Sequence, residues 1–140
     1  MKDKYQVSLK VIIKNEKGEF LGLKPPASSS LGGSYEFAGG RIDVEEFEIS
    51  FEDIIRREIV EELGNIRYDL NLKPVALGRH KLSSDGTHVL YVFFEAVYHG
   101  GDIKISNEHE GHDWLDLTGA NLEDLFKSGN LEGIKMHLEK

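Results

Sequence analysis

The chain contains no cysteine, which excludes disulfides and thiolate metal sites and fits a reducing, cytoplasmic setting. Basic residues are scarce. Lys and Arg number 17 against 25 Asp and Glu, a formal charge of -8 with a pI near 5.2. That balance argues against a polymeric nucleic-acid partner or an anionic membrane surface, because phosphate backbones attract basic patches. An acidic protein that handles phosphates must do so through metal ions and a few local arginines. No apolar run approaches a membrane span, and Met1-Lys2-Asp3-Lys4-Tyr5 does not lead into a signal-peptide core. What remains, 140 residues and 15.8 kDa, suits one domain over 1–140 with a real core.

The most organised stretch runs from Gly39 to Gly64, and its second half reads as one helix. Ser50 is the expected N-cap, with Asp53 reaching back in a shortened capping box and Ile49 and Ile54 at the staple positions. Gly64 is the expected stop. Phe51, Ile55, Ile59 and Leu63 form the predicted apolar stripe. Glu58, Glu61 and Glu62 share a face, and Glu62 projects almost onto that stripe. Carboxylates crowded at the edge of a core repel one another and lose hydration, two costs that a divalent cation removes. The plainer reading is a solvated acidic face with Arg57 and Glu61 as an i, i+4 pair.

Arg57-Glu58-Ile59-Val60-Glu61-Glu62-Leu63-Gly64 resembles the core of the Nudix box of the Nudix (MutT-like) hydrolases, R-E-U-x-E-E-x-G with U aliphatic, at every fixed position. The upstream half departs from the family. Its glycine precedes the arginine by fourteen residues, whereas Gly40 precedes Arg57 by seventeen, and Ile49 stands where the family has a glutamate. Glu46 keeps the glycine-side spacing and Glu48 is nearest on the helix side, so either is a substitute. Tyr35 to Gly40 resembles the strand and turn that introduce the box, with Ala38 in place of a proline.

The rest of the chain reads mostly as strands. Val7, Leu9, Val11 and Ile13 alternate with polar residues, and Glu19 to Lys24 is a second extended run after the turn Asn15 to Gly18. Pro25 to Ser34 is loop-like, either a passive connection or a substrate lid. Ile66 to Leu82 has strand character broken at Pro74 and Gly78. Val89 to Tyr98 reads as a central strand covered on both faces, with Glu95 either facing the site or lying in water near its end. Trp114 to Leu117 reads as a last strand. In Asn107 to Asp113 no zinc-like spacing supports His109 and His112 as ligands, so they read as solvated. Leu122, Leu125 and Phe126, then Leu131, Ile134, Met136 and Leu138, predict two short closing helices. The layout is that of the Nudix α/β/α sandwich, with a mixed sheet, one long catalytic helix and short C-terminal helices.

The resemblance implies metal-dependent hydrolysis of a diphosphate linkage in a small-molecule nucleotide: a nucleotide sugar, a nucleoside triphosphate or a dinucleotide. By position, Glu58, Glu61, Glu62 and the Gly39 carbonyl are the implied metal ligands, Arg57 orients a glutamate, and Arg41 touches a phosphate. Glu61 or Glu108, with Glu110 a secondary candidate, accepts a proton or adds a ligand. Hard oxygen donors select Mg²⁺ or Mn²⁺. No membrane partner is implied, and a homodimer is compatible. Two other readings stand beside this one: a nucleotide-sensing module that kept the fold and lost turnover, and an acidic protein-interaction domain. On the hydrolase reading, Glu61→Gln and Glu62→Gln are expected to reduce turnover far more than Glu46→Gln or Glu48→Gln; steady-state rates that fall equally at all four positions would place the loop glutamates at the metal.

Overall fold

The computed structural model describes residues 1–139. Six strands, β1 (Gln6–Lys14), β2 (Phe20–Lys24), β3 (Ala38–Arg41), β4 (Arg67–Lys81), β5 (His88–Gly100) and β6 (Gly111–Leu115), form one mixed sheet. Its order is β4-β5-β1-β2-β6, with β3 also on β1. Only β1 and β5 run parallel; every other pairing is antiparallel. The helices are α1 (Phe51–Leu63), α2 (Leu122–Leu125) and α3 (Ser128–Leu138), and a 3-10 turn spans Val44–Glu46.

Each face of β1 packs on a different layer, since successive side chains point to opposite sides. Leu9, Val11 and Ile13 join Ile54, Ile55, Ile59 and Leu63 of α1, together with Phe94 and Ala96 of β5. Ile12 joins Phe37, Tyr91, Phe93, Phe126 and Ile134 on the other face, beneath α3. This double covering corrects the expected polar-out alternation: Ser8 and Lys10 are buried as well. On its other edge β1 is shared, Ser8 to Val11 pairing with β3 and Lys14 with β2. The chain between β2 and β3 returns through a Leu23–Glu36 bridge.

The ends of α1 fall where its caps require. Asp53 N–H donates to Ser50 Oγ at 3.1 Å, and Gly64 closes the helix at φ +83°. Only this forward half of the expected capping box is formed among the described bonds. The buried stripe differs from expectation. Ile54 takes a core position while Phe51 stays 59% exposed and Ile49 also remains exposed, so neither the Phe51 position nor a buried Ile49–Ile54 staple holds. The first turn therefore packs through Ile54 alone and turns Phe51 to solvent.

β4 is one strand, not a broken one. Its register shifts between Asn71 and Ala76, which absorbs Pro74 as a bulge. Gly78 does not interrupt it but lets α3 approach: a Cβ there would lie 2.2 Å from the Gly129 carbonyl oxygen. Accordingly α3 buries Gly129, Asn130, Gly133, Ile134 and His137, and leaves Met136 and Leu138 exposed, contrary to the expected apolar face. Glu95 lies on this side too, 2.6 Å from His137 Nε2, so it faces neither the site nor open water. β6 begins earlier than the expected Trp114 to Leu117.

Gly78→Ala is expected to cost about 1–3 kcal/mol by overpacking backbone against backbone, although Ala is the better strand residue by roughly 0.5–1 kcal/mol. Gly111→Ala, whose Cβ meets only the Lys24 stem at 3.5 Å, serves as the control and is expected to be neutral or stabilising. Urea denaturation of both variants checks this; equal midpoints would overturn the account of how α3 docks.

Candidate metal centre and adjoining cleft

The last turn of α1 carries Glu61 and Glu62 and no basic residue, the wrong sign for a helix C-terminus. Glu62 is 4% exposed. The Gly39 N–H donates to its Oε2 at 3.1 Å. Burial pushes the Glu62 carboxyl up to about 7, against the opposing pull of Lys10, the Gly39 N–H and His109. Gly39 has φ +142° and its Cβ would fall 2.0 Å from the Leu9 carbonyl oxygen, so no other residue fits. It meets Glu62 through its N–H, not through the carbonyl expected as a metal ligand. At Gly40 a Cβ would come within 2.7 Å of both oxygens of Glu58. Glu58 is half-buried and its carboxyl is raised, first by burial.

Arg57 organises the other carboxylates. It donates from Nη1 to Glu61 Oε1 at 3.1 Å, pairs closely with Glu46 through Nη2, and lies 3.4 Å from Glu58 Oε1. Glu46 also accepts from the Asp43 N–H at 2.9 Å. That bond and the guanidinium hold its carboxyl below the ordinary value. Glu46 is 8% exposed, whereas Glu48 is exposed and has no side-chain bond among the described residues. Of the two substitutes for a glutamate at position 49, the fold brings Glu46 to Arg57.

Gly39, Gly40, Asp43, Arg57, Glu58, Glu61, Glu62 and Glu108 line one cavity of about 300 Å³. Among the described residues no three acidic or histidine side chains converge into a coordination cluster. Glu61 is drawn to Arg57 and Glu62 to Gly39. The donor set still fits a hard divalent cation: Glu58, Glu61 and Glu62 supply oxygen donors from α1, and the Gly39–Gly40 backbone admits close approach. Glu110 donates its N–H to Lys24 and lines a different cleft beside Tyr35, which removes it from the site. His112 lies on β6 and does not line the carboxylate cavity.

A second cavity of about 300 Å³ shares Gly39, Gly40, Glu62 and Glu108 with the first. Its remaining wall includes Lys10, Glu36, Arg41, His80, Tyr91 and His109, with Pro25, Pro26 and Ser29 to Leu31 of the loop after β2. Arg41 is exposed and donates to Gln6 Oε1 at 2.7 Å. Lys10 Nζ lies 5.0 Å from the Tyr91 ring centre and 3.3 Å from the Phe37 carbonyl oxygen. His80 sits between Ser30 Oγ at 3.0 Å and Ser128 Oγ at 2.7 Å. His109 corrects the expectation of a solvated loop histidine: it is 7% exposed, with Nε2 at 2.6 Å from Glu36 Oε1. Burial opposes the charge on both partners, yet their mutual bond prevails, lowering Glu36 and raising His109. Lys10, Glu36 and His109 were not singled out as site residues from sequence. No local signal marked them, because Lys10 stands at a polar position of an alternating strand.

The NUDIX domain pattern matches residues 4–135. The nucleoside triphosphatase NudI of Salmonella paratyphi B is 29% identical over 104 residues, covering 66% of this chain and 69% of that protein. The MutT protein of Methanosarcina mazei Go1 superposes with a TM-score of 0.68 at 27% identity, over 85% of this chain and 82% of its own. The solution structure of the E. coli ORF135 protein gives the same TM-score and identity over 94% and 89%.

The burial of Glu62 sets a pH dependence. Between 4.5 and about 7 the folded state holds a proton that the unfolded state has released. Stability of the metal-free protein is therefore expected to be full below the unfolded value and to fall as pH rises toward 7, by up to about 3 kcal/mol. Glu62→Gln removes this slope, so in excess chelator it is expected to melt above wild type at pH 8 and level with it near pH 5. Parallel melting curves across that range would show that Glu62 is not strained.

Proposed function

Because the chain belongs to the NUDIX domain family, we propose that it is a Mg²⁺- or Mn²⁺-dependent enzyme cleaving a diphosphate linkage in a small nucleoside diphosphate derivative, with residues 1–140 acting as one Nudix domain. Family membership makes it a pyrophosphohydrolase acting on phosphoanhydride bonds. The observation that carries the finer reading is the shared wall: the carboxylates of α1 and a separate polar cleft meet at Gly39, Gly40, Glu62 and Glu108. A diphosphate lying there reaches the carboxylate cavity at one end while the group attached to it occupies the cleft.

In this reading Glu58, Glu61 and Glu62, with Gly39, hold the cation. Bound there, it would neutralise the diphosphate and acidify a water. Arg57 is the organising group. Its fork keeps Glu46 and Glu61 apart and aimed, so that neither carboxylate has to be ordered during the reaction. Glu61 or Glu108 takes the proton from the attacking water. Arg41 and Lys10 supply positive charge on the cleft side, where an acidic protein otherwise repels an anionic substrate. The lengthened loop and Ile49 in place of a glutamate favour the sensing-module alternative, and Glu46 paired with Arg57 answers the second of these.

A panel of nucleotide sugars, dinucleoside polyphosphates and canonical or oxidised nucleoside triphosphates, assayed with Mg²⁺ and with Mn²⁺, is expected to yield phosphate or nucleotide release on at least one member. That release should stop in excess chelator; full turnover with chelator rejects the metal-dependent reading. Within the active assay, Glu46→Gln is expected to lower kcat by roughly 10- to 100-fold, as loss of an outer partner of a metal site does. Glu48→Gln should stay within about 2-fold of wild type, as a solvated side chain on the same loop does.

A further inference from the structure

Glu108 stands on the wall shared by the two cavities, yet its own hold on the fold is slight. Its side chain is exposed, and its N–H donates to Ser106 Oγ at 3.3 Å. The loop that carries it is tied at its ends to two different elements. Ser106 N–H donates to the Glu62 carbonyl of α1 at 3.2 Å, and Glu110 N–H to the Lys24 carbonyl of β2 at 2.8 Å. Between these ties the one buried residue is His109. Its Nε2 meets Glu36, and its Nδ1 is buried with no partner among the described residues, so the whole polar hold on the ring is that carboxylate.

Glu36 is a firm anchor. It exchanges two backbone hydrogen bonds with Leu23, each 2.9 Å, which join it to the same strand that receives Glu110. Lys10, Glu62 and His80 are the other titratable groups that act on the pair. Without a buried plug, the residues between Ser106 and Glu110 would have to be ordered each time Glu108 took up a working position. A displacement of about 1 Å at a reacting group is enough to cost on the order of 100-fold in rate.

We propose that His109, held by Glu36, is a positioning residue that fixes the Ser106 to Glu110 loop so that Glu108 faces the carboxylate cavity, and that it serves turnover through Glu108 rather than by touching substrate. This rests on the reading of Glu108 as a proton acceptor or added ligand. His109→Leu keeps the bulk and loses the donor; His109→Gln keeps a donor toward Glu36.

The test is a kinetic cycle combining these variants with Glu108→Gln, on the best substrate of the panel. His109→Leu is expected to lower kcat by roughly 10- to 100-fold with KM within about 2-fold, and His109→Gln to recover most of that loss. In the Glu108→Gln background, adding His109→Leu should cost nothing further, because residues that act through one another are non-additive. Amide hydrogen exchange over residues 106 to 110 should accelerate in His109→Leu while the core strands keep their protection. An equal loss in both backgrounds, or a rise in KM alone, overturns the proposal, the latter by making His109 a substrate contact. If His109→Leu fails to fold, Glu36→Gln, which leaves the backbone bonds and weakens the pair, takes its place in the same cycle. A wild-type rate in Glu108→Gln also overturns it and leaves the hydrolase reading standing, since that reading is decided by wild-type turnover with and without chelator.

Discussion

A carboxylate buried at the negative end of a helix, facing a backbone N–H that only glycine can present, is the constraint from which the rest of this molecule follows. Glu62 is buried on α1 between Ile59 and Leu63, two of the apolar residues that seat the helix on the sheet. Gly39 is placed against it by pairing with Lys10 on β1. The helix, the short strand β3 and the central strand are thus locked around one group that is uncomfortable when ionised. The acidic last turn, the close approach of Gly40 to Glu58 and the Arg57 fork all surround that point.

The same locking explains why the two cavities meet. β1 gives its edge to β3 for four residues and to β2 only near Lys14, so the sheet does not continue evenly beside its N-terminal half. Lys10, buried by that arrangement, brings a positive charge to the far side of the sheet from α1. An overall acidic chain thereby keeps a locally mixed cleft, with Lys10, Arg41 and His109 set among Glu36, Glu62 and Glu108. On the opposite layer, Gly78, Gly129 and Gly133 let α3 sit close against β4 and β5. The pair of half-buried Glu95 and buried His137 belongs to that packing and does not line the carboxylate cavity.

The extent of α1, the turns at Gly18 and Gly86, the two-sided burial of β5 and the placing of Glu58, Glu61 and Glu62 on one helix were all legible in the amino-acid order. Caps, turns and periodicity act over a few residues, so their physics is complete within the segment that carries them. What only the tertiary structure decided acts across long separations. His109 meets Glu36 from 73 positions away, and Gly78 meets Gly129 because α3 returns to β4. Phe51 looked like core and is not, while Lys10 and His109 looked solvated and are buried, because burial depends on what packs opposite and not on a residue's own pattern. The choice of Glu46 over Glu48 is of the same kind: both carry the same charge in the same loop, and only the folded turn from Asp43 to Glu46 determines which one reaches Arg57.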